Sequence, residues 1–401
     1  MTVFDRILPI ASEVLREHRA IVSQLEWLVI NRDLNARVRI ILPESVEPDV
    51  ERRKQCEAIY EVLAARIAPH AYPVQTGILY EATRDEACAG GTSYPLDDFD
   101  KVWLVDRLAT EGNWANIAPE TDGAPRIVFF SIKGGVGRST ALAACAWKLA
   151  QLGKRVLVLD LDLESPGLSS SLLPTDRQPM YGITDWLVED LVDNGEPILD
   201  GMIATSELAR DGEIYVVPAH GSDAGEYIAK LGRVWMPKVG DDGTREPWSA
   251  RSHRLLRTLE ARIKPDIVLI DSRAGIDEVA SSCVTDLGAN LILLFALDGS
   301  QTWSGYRILF NHWQRARVAE DIRERLQMVA ALVPELDPSA YLKDLRERAY
   351  DLFLEKLYDE LASPDAEGWS FDLANELAPH QPWACALASW FCCLAHTAWK
   401  A

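Results

Sequence analysis

Several features that would place a chain at once are missing here. The seven cysteines, Cys56, Cys88, Cys145, Cys283, Cys385, Cys392 and Cys393, form no C-x-x-C pair and no metal-ligand spacing. That pattern excludes a disulfide framework and a zinc module. Positive charge is scarce: 41 Lys and Arg stand against 61 Asp and Glu, a net charge of −20. General affinity for nucleic acid needs cations to neutralise phosphates, so none is expected; acidity of this kind otherwise serves solubility. No apolar run reaches the ~20 residues of a bilayer span. The nearest, Trp383–Trp399, is interrupted by Ser389, His396 and Thr397. The first residues carry charges early and lack the basic-then-apolar order of a signal peptide, so a reducing cytoplasmic setting is expected.

What the chain does have is ordinary bulk and one unusual stretch. Apolar residues make up 48% and charged residues 25% of 401, enough for one large α/β domain and a smaller one. Arg126–Ala144 reads RIVFFSIKGGVGRSTALAA. An apolar run suited to a buried strand, Arg126–Ser131, leads through Lys133-Gly134-Gly135-Val136-Gly137-Arg138-Ser139-Thr140 into a helical run that Gly153 can cap. Glycines let backbone N–H groups turn toward an anion, and the helix dipole adds a fixed partial positive charge. Gly134 to Thr140 are the expected phosphate cradle, and Ser139 stands where a P-loop hydroxyl meets Mg²⁺. The alternative is a Gly-rich turn with no ligand.

The pattern departs from G-x-x-x-x-G-K-[ST] at two positions, where Ile132 replaces the first Gly and Arg138 the Lys. With Lys133 early in the loop, KGGVGRST resembles the deviant Walker-A ATPases of the ParA/MinD family, whose loops read K-G-G-x-G-K-[ST]. The resemblance implies that Lys133 reaches across a dimer interface to the partner's nucleotide. Arg138 keeps the charge but is bulkier and not interchangeable with Lys, so slow hydrolysis is expected. Downstream, Arg155–Leu159 reads as a second buried strand running into Asp160-Leu161-Asp162. The family carries D-x-D there, its second Asp orienting the attacking water; Asp162 lies 29 positions after Lys133, as in the family. Carboxylates at a strand's C-terminal end also face the ligand crevice of an open α/β sheet; alternatively Asp160 and Asp162 cap a turn. Ile267–Asp271 is a hydrophobic strand ending in an Asp, the Walker-B pattern that meets Mg²⁺, and Ser272-Arg273-Ala274-Gly275 resembles the D-S-P-A-G switch II with Arg273 in place of Pro. Arg273 is read either as a phosphate or partner contact or as a solvated loop residue. Catalytic roles are therefore expected for Lys133, Asp162 and Arg138, and metal contacts for Ser139, Asp160 and Asp271, with ATP and Mg²⁺ as cofactors.

The resemblance covers roughly Arg126 to Pro334, with Val333–Leu336 as adenine-side candidates. Before it, residues 1–124 read as a small α/β accessory domain: a helix over 1–20, strands near Glu26–Ile30, Val38–Leu42, Gly77–Tyr80 and Val102–Val105, a helix over 49–67, and a loop over 89–95. The Asp97, Asp98 and Asp100 cluster reads as a solvated turn. Residues 125–401 are expected to form a mostly parallel, doubly wound P-loop NTPase sheet with a helical C-terminal tail. Trp383–Trp399 is read as a buried closing helix rather than a partner interface or membrane tether, because it lacks a basic face. Cys145 and Cys283 are expected in the core, and His220 in a structural role near the crevice. The reading is an ATP-binding and hydrolysing switch, dimerising around nucleotide and regulating a partner protein encoded nearby. The alternatives are an ATP-sensing scaffold with little turnover and a bacterial tyrosine kinase, which the scattered Tyr341, Tyr350 and Tyr358 disfavour.

Overall fold

A computed structural model describes residues 2–108, 114–209, 211–240, 242–360 and 368–385. The chain divides into two units, Met1–Glu111 and Gly112–Ala401. The division falls earlier than the expected boundary at 124/125 because the connecting segment packs with the second unit. The Ala118 N–H donates to the Thr285 carbonyl at 2.8 Å and the Thr121 N–H to that of Gly288 at 3.0 Å, while Trp114 lies 6.0 Å from Phe130.

In the first unit the alternating apolar runs become β1 (Leu28–Arg32), β2 (Val38–Pro43), β3 (Ile78–Glu81), β4 (Thr92–Pro95) and β5 (Val102–Asp106). Their order is β3-β2-β1-β5-β4. The β1/β2 and β4/β5 pairs are antiparallel, and β1/β5 and β2/β3 are parallel. Helices Ile7–Glu17 and Val50–Ile67 cover one face, where Val14, Leu15, Tyr60 and Leu63 meet Ile30, Ile40 and Leu104. The neighbours Val29, Ile41 and Val105 point to the opposite face, as a period of two requires. Two expectations are corrected. The single helix over 1–20 is broken into Ile7–Glu17 and Arg19–Val22, and the loop over 89–95 contains β4. Gly90 and Gly91 masked that strand, and Pro95 is tolerated because β4 is an edge. Asp98, at the acidic turn, has positive φ and pairs with Arg16 at 3.4 Å.

The second unit contains β6 (Arg126–Ser131), β7 (Arg155–Asp160), β8 (Ala204–Thr205), β9 (Glu213–Val217), a separate hairpin β10/β11 (Lys238–Val239 and Arg245–Glu246), β12 (Ile267–Ala274), β13 (Leu291–Ala296), β14 (Leu326–Ala330) and β15 (Trp383–Ala384). The main sheet runs β15-β14-β13-β6-β12-β7-β9-β8, and every pair in it is parallel except β8/β9. Leu142, Ala146 and Ala150 of helix Arg138–Gln151 pack with Phe129, Val156 and Val158 on one face. Val128, Phe130, Leu157 and Leu159 face the other way, against helices Trp248–Ile263, Glu278–Thr285, Ser300–Ala316 and Pro338–Lys356. Burial on both faces is why these strands read as continuous apolar runs. The fold is the expected doubly wound, mostly parallel α/β sheet, with a helical C-terminal region.

Three details depart from expectation. The Walker-B strand continues past Asp271 to Ala274. Trp383 and Ala384 do not start a helix; they extend the sheet edge, with the Cys385 N–H donating to the Ala330 carbonyl at 2.9 Å. The rest of the apolar tail, with Cys392 and Cys393, lies outside the described residues. Cys283 is buried as expected, whereas Cys145 lies on the exposed face of its helix. Among the described residues, no helix is long and apolar enough to cross a membrane.

A buried ion pair ties β6 to helix Trp248–Ile263. Arg126, 1% exposed, donates through Nε and Nη2 to Glu260 at 2.8 and 2.6 Å and through Nη1 to the Leu287 carbonyl at 2.7 Å. Glu260→Ala is expected to destabilise this unit by about 3 kcal/mol, because it strands a buried guanidinium. Arg126→Met with Glu260→Leu should recover most of that loss. Chemical denaturation followed by circular dichroism reads both outcomes.

Candidate functional site

The site lies at the carboxyl ends of β6, β7 and β12, where open α/β sheets place their ligands. β6 ends at Ser131, and the chain turns through 132–137 before helix Arg138–Gln151 begins. Gly135 and Gly137 have φ of +74° and +79°, left-handed values that would strain a side chain. Gly137 is the residue before the helix and offers no side-chain cap, so the first N–H groups of a 14-residue helix remain for an outside acceptor. Ile132, where the usual loop has its first Gly, is accommodated by a glycine elsewhere. A Cβ on Gly305 would come within 2.3 Å of the Ile132 side chain, so the two positions exchange bulk.

Gly134 to Thr140, with Ser131, Asp162, Ser165, Arg273 and Ala274, line a cavity of about 470 Å³. A larger cavity of about 630 Å³ runs along helix Trp248–Ile263, but Ala250, His253, Arg254, Arg257, Thr258 and Ala261 bring no comparable constellation to it. Lys133 stands outside the P-loop lining and is exposed at the start of the loop.

Beneath the cavity is a buried charge cluster. The β7/β12 register sets Asp160 beside Asp271, both almost without exposure. Arg138, 7% exposed, turns its guanidinium down among them. Nε donates to Asp271 at 2.7 Å, Nη2 to Asp162 at 3.0 Å and Nη1 to the Ser131 hydroxyl at 3.1 Å. Asp160 accepts from the Asp162 N–H at 3.3 Å and the Leu168 N–H at 3.2 Å. It therefore closes the loop between them and stands behind the cavity rather than on its wall. Of the two readings for that acidic pair, turn capping describes Asp160, while Asp162 reaches the cavity.

The electrostatics follow from three carboxylates sharing one cation. Burial, then the charges of Asp271 and Asp162, pushes Asp160 up to about 8. Burial also raises Asp271 and Asp162, against the opposing pull of Arg138. Burial works against the charge of Arg138 too, but Asp271 and Asp162 outweigh it and hold its pKa above the ordinary value. Asp271 Oδ2 and Asp162 Oδ1 are buried and accept no hydrogen bond, and the Ser139 hydroxyl acts on the Asp271 carboxylate. Surplus negative charge with an orphaned Asp271 oxygen suits a hard divalent cation. Among the described residues, no three His, Cys, Asp or Glu side chains could hold a metal alone. A Mg²⁺ here would be completed by phosphate oxygens and water, as that ion prefers.

Sequence reasoning did not find the contacts around the neighbouring loops. Arg273 Nη2 lies 2.6 Å from Glu164, and its Nη1 3.1 Å from Asp277. Asp277 also caps helix Glu278–Thr285 by accepting from the Ala280 N–H. The Tyr227 hydroxyl donates to the Leu163 carbonyl at 2.6 Å, and His220 packs edge-on against Tyr227 at 5.4 Å. Of these residues, Arg273 gave a signal beforehand by replacing a Pro, and His220 by its place after a strand near the crevice. Val333 and Leu336, after β14, are not among the residues lining the P-loop cavity.

A family model described as the CobQ/CobB/MinD/ParA nucleotide binding domain matches residues 127–351. The chain belongs to this family. Among curated proteins, it is 60% identical to a putative arsenical pump-driving ATPase 1 of Aquifex aeolicus over 37 residues, 9% of each chain. It is 44% identical to an iron-sulfur cluster carrier protein of Methanocaldococcus jannaschii over 57 residues, 14% of this chain and 20% of that one. The matches thus span a fifth or less of either relative's length. Among solved structures, a ParA family ATPase from Chlorobium tepidum aligns at TM-score 0.39 and 15% identity, over 61% of this chain and 86% of that one. MinD of Pyrococcus horikoshii, complexed with Mg-ADP, aligns at 0.37 and 19%, over 51% and 69%.

Replacing Arg138 tests the charge cluster. Arg138→Met leaves Asp271 and Asp162 without their cation and should cost about 3–5 kcal/mol at pH 8. Burial already raises both carboxylates in the folded chain, and without the opposing pull of Arg138 they lie further above their unfolded values. Their penalty is absent below the unfolded pKa near 4 and grows as pH rises, so the loss should shrink at pH 5. Arg138→Lys should fall between, since one ammonium cannot reproduce three directed contacts. Denaturation midpoints measured in chelator at both pH values check this.

Proposed function

We propose that the chain is an ATP-binding and hydrolysing switch that dimerises around nucleotide and regulates a partner protein. The reading rests chiefly on one observation: Asp162 shares the P-loop cavity and carries a buried oxygen with no hydrogen-bond partner. The helix N-terminus and the Gly134–Thr140 backbone would take the phosphates. Ser139 and Asp271 would hold Mg²⁺, with Asp160 fixing the loop behind them. The ion would supply charge neutralisation at the β- and γ-phosphate oxygens. Asp162 would orient the attacking water, and the exposed Lys133 would reach a second subunit's nucleotide. Arg138 would hold the carboxylates in place and steady the developing charge. The first unit, Met1–Glu111, would serve as an accessory domain, and the net negative charge would suit a protein partner better than nucleic acid.

A second reading, an ATP-sensing scaffold with little turnover, is favoured by the commitment of all three Arg138 guanidinium nitrogens to Asp271, Asp162 and Ser131. Single-turnover hydrolysis separates the two. Under the first reading Asp162→Ala keeps ATP binding and the dimer, and loses about 10²–10³ in hydrolysis rate. Lys133→Ala keeps monomer binding and loses both dimer and turnover. Light scattering with Mg²⁺ and a slowly hydrolysed ATP analogue reads dimerisation. A wild-type mass that stays monomeric at millimolar analogue rejects the dimer, and a wild-type rate in Asp162→Ala rejects the role given to that carboxylate.

A further inference from the structure

Arg273 occupies an unusual position for a strand-end residue. It lies two positions past Asp271 on β12, within the irregularity in the β6/β12 register between Asp271 and Ala274. Arg273 lines the cavity together with Gly134, Ser139, Asp162 and Ser165. Its guanidinium has one arm on each flanking loop: Glu164, between β7 and helix Leu168–Leu172, and Asp277, before helix Glu278–Thr285. The side chains of Arg273, Glu164 and Asp277 are 32%, 42% and 26% exposed. Ion pairs this accessible contribute little net stability, so exchanging one partner is cheap. Arg138, by contrast, is buried and engaged with three acceptors. The accessible guanidinium on the cavity wall is therefore that of Arg273. A planar fork that accepts a carboxylate accepts a phosphate equally well.

We propose that Arg273 reads the terminal phosphate of ATP from within the same subunit. The phosphate competes with Glu164 for the guanidinium, so that its arrival releases the loop after β7 from the loop after β12. This rests on the ATP-switch reading above and assigns that site its discriminator between nucleoside triphosphate and diphosphate. ADP leaves the Arg273–Glu164 bridge in place, and ATP breaks it.

The test measures affinities for ADP and for a slowly hydrolysed ATP analogue, with Mg²⁺, on the full chain. Arg273→Ala should weaken the analogue about tenfold, the scale of one charge-assisted hydrogen-bonded contact, and leave ADP within about twofold. Glu164→Gln removes the competitor and should tighten the analogue by roughly threefold. Asp277→Asn, which keeps the helix cap, should shift it the same way. A bridge with a structural role alone would make Arg273→Ala and Glu164→Gln move affinity in one direction, or move both nucleotides equally; either result overturns the proposal. If the wild type discriminates the two nucleotides and Arg273→Ala keeps its ratio, the proposal fails alone. If the wild type binds neither nucleotide, the ATP-switch reading fails with it.

Discussion

The second unit's site depends on a shortage of positive charge in a buried place. Asp160 and Asp271 are paired by strand register, and Asp162 follows within one turn, with Arg138 as the cation among them. Removing carboxylates from water is expensive, and their mutual repulsion adds to the cost. The cluster persists because each member is tied to something else. Asp160 accepts two backbone N–H groups, Arg138 forks between two acids and a hydroxyl, and the loop after β7 is stitched to β12 by the Leu161 N–H and the Asp271 carbonyl at 3.0 Å. The remaining oxygen of Asp271 is what a bound cation would satisfy, and that of Asp162 is left without a hydrogen-bond partner beside the cavity.

The cations near the cavity differ in how deeply they are buried and how firmly they are paired. Arg138 is fixed by burial and by partners on β6, β12 and the loop after β7. Arg273 pairs with the partly exposed carboxylates of Glu164 and Asp277, and Lys133 is exposed at the loop's start. Exposure therefore rises from the floor of the site to its rim. A site that must bind a polyanion and then let it go benefits from this order, since a rigid floor keeps the geometry while rim contacts exchange at low cost.

Around the site, packing supplies the precision. The P-loop helix is pressed onto the sheet by Leu142, Ala146 and Ala150, which fixes where its N-terminus points. Ile132 fills space over Gly305, so the loop's departure from the usual first glycine is matched by a missing side chain on helix Ser300–Ala316. Tyr227 holds the loop after β7 from outside by its bond to the Leu163 carbonyl.

Much of this was legible in the sequence. Strands such as Arg126–Ser131 and Leu291–Ala296 were readable because burial on both faces leaves continuous apolar runs, and the P-loop because left-handed turns demand glycine at Gly135 and Gly137. Lys133, Ser139, Asp162 and Asp271 could be named because the loop and the two strand ends resemble the ParA/MinD motifs. What the sequence could not show was partnership. That Arg138 faces Asp271 across 133 residues, that Asp160 spends its oxygens on its own loop, and that Arg273 joins Glu164 to Asp277 all follow from strand order and register. The short edge strands β4 and β15 were hidden for the same reason. Two to four residues carry too little periodicity to be read alone, and only a neighbouring strand with free hydrogen-bonding groups makes them strands. Local chemistry determined which residues the site would contain; long-range pairing decided which of them touch.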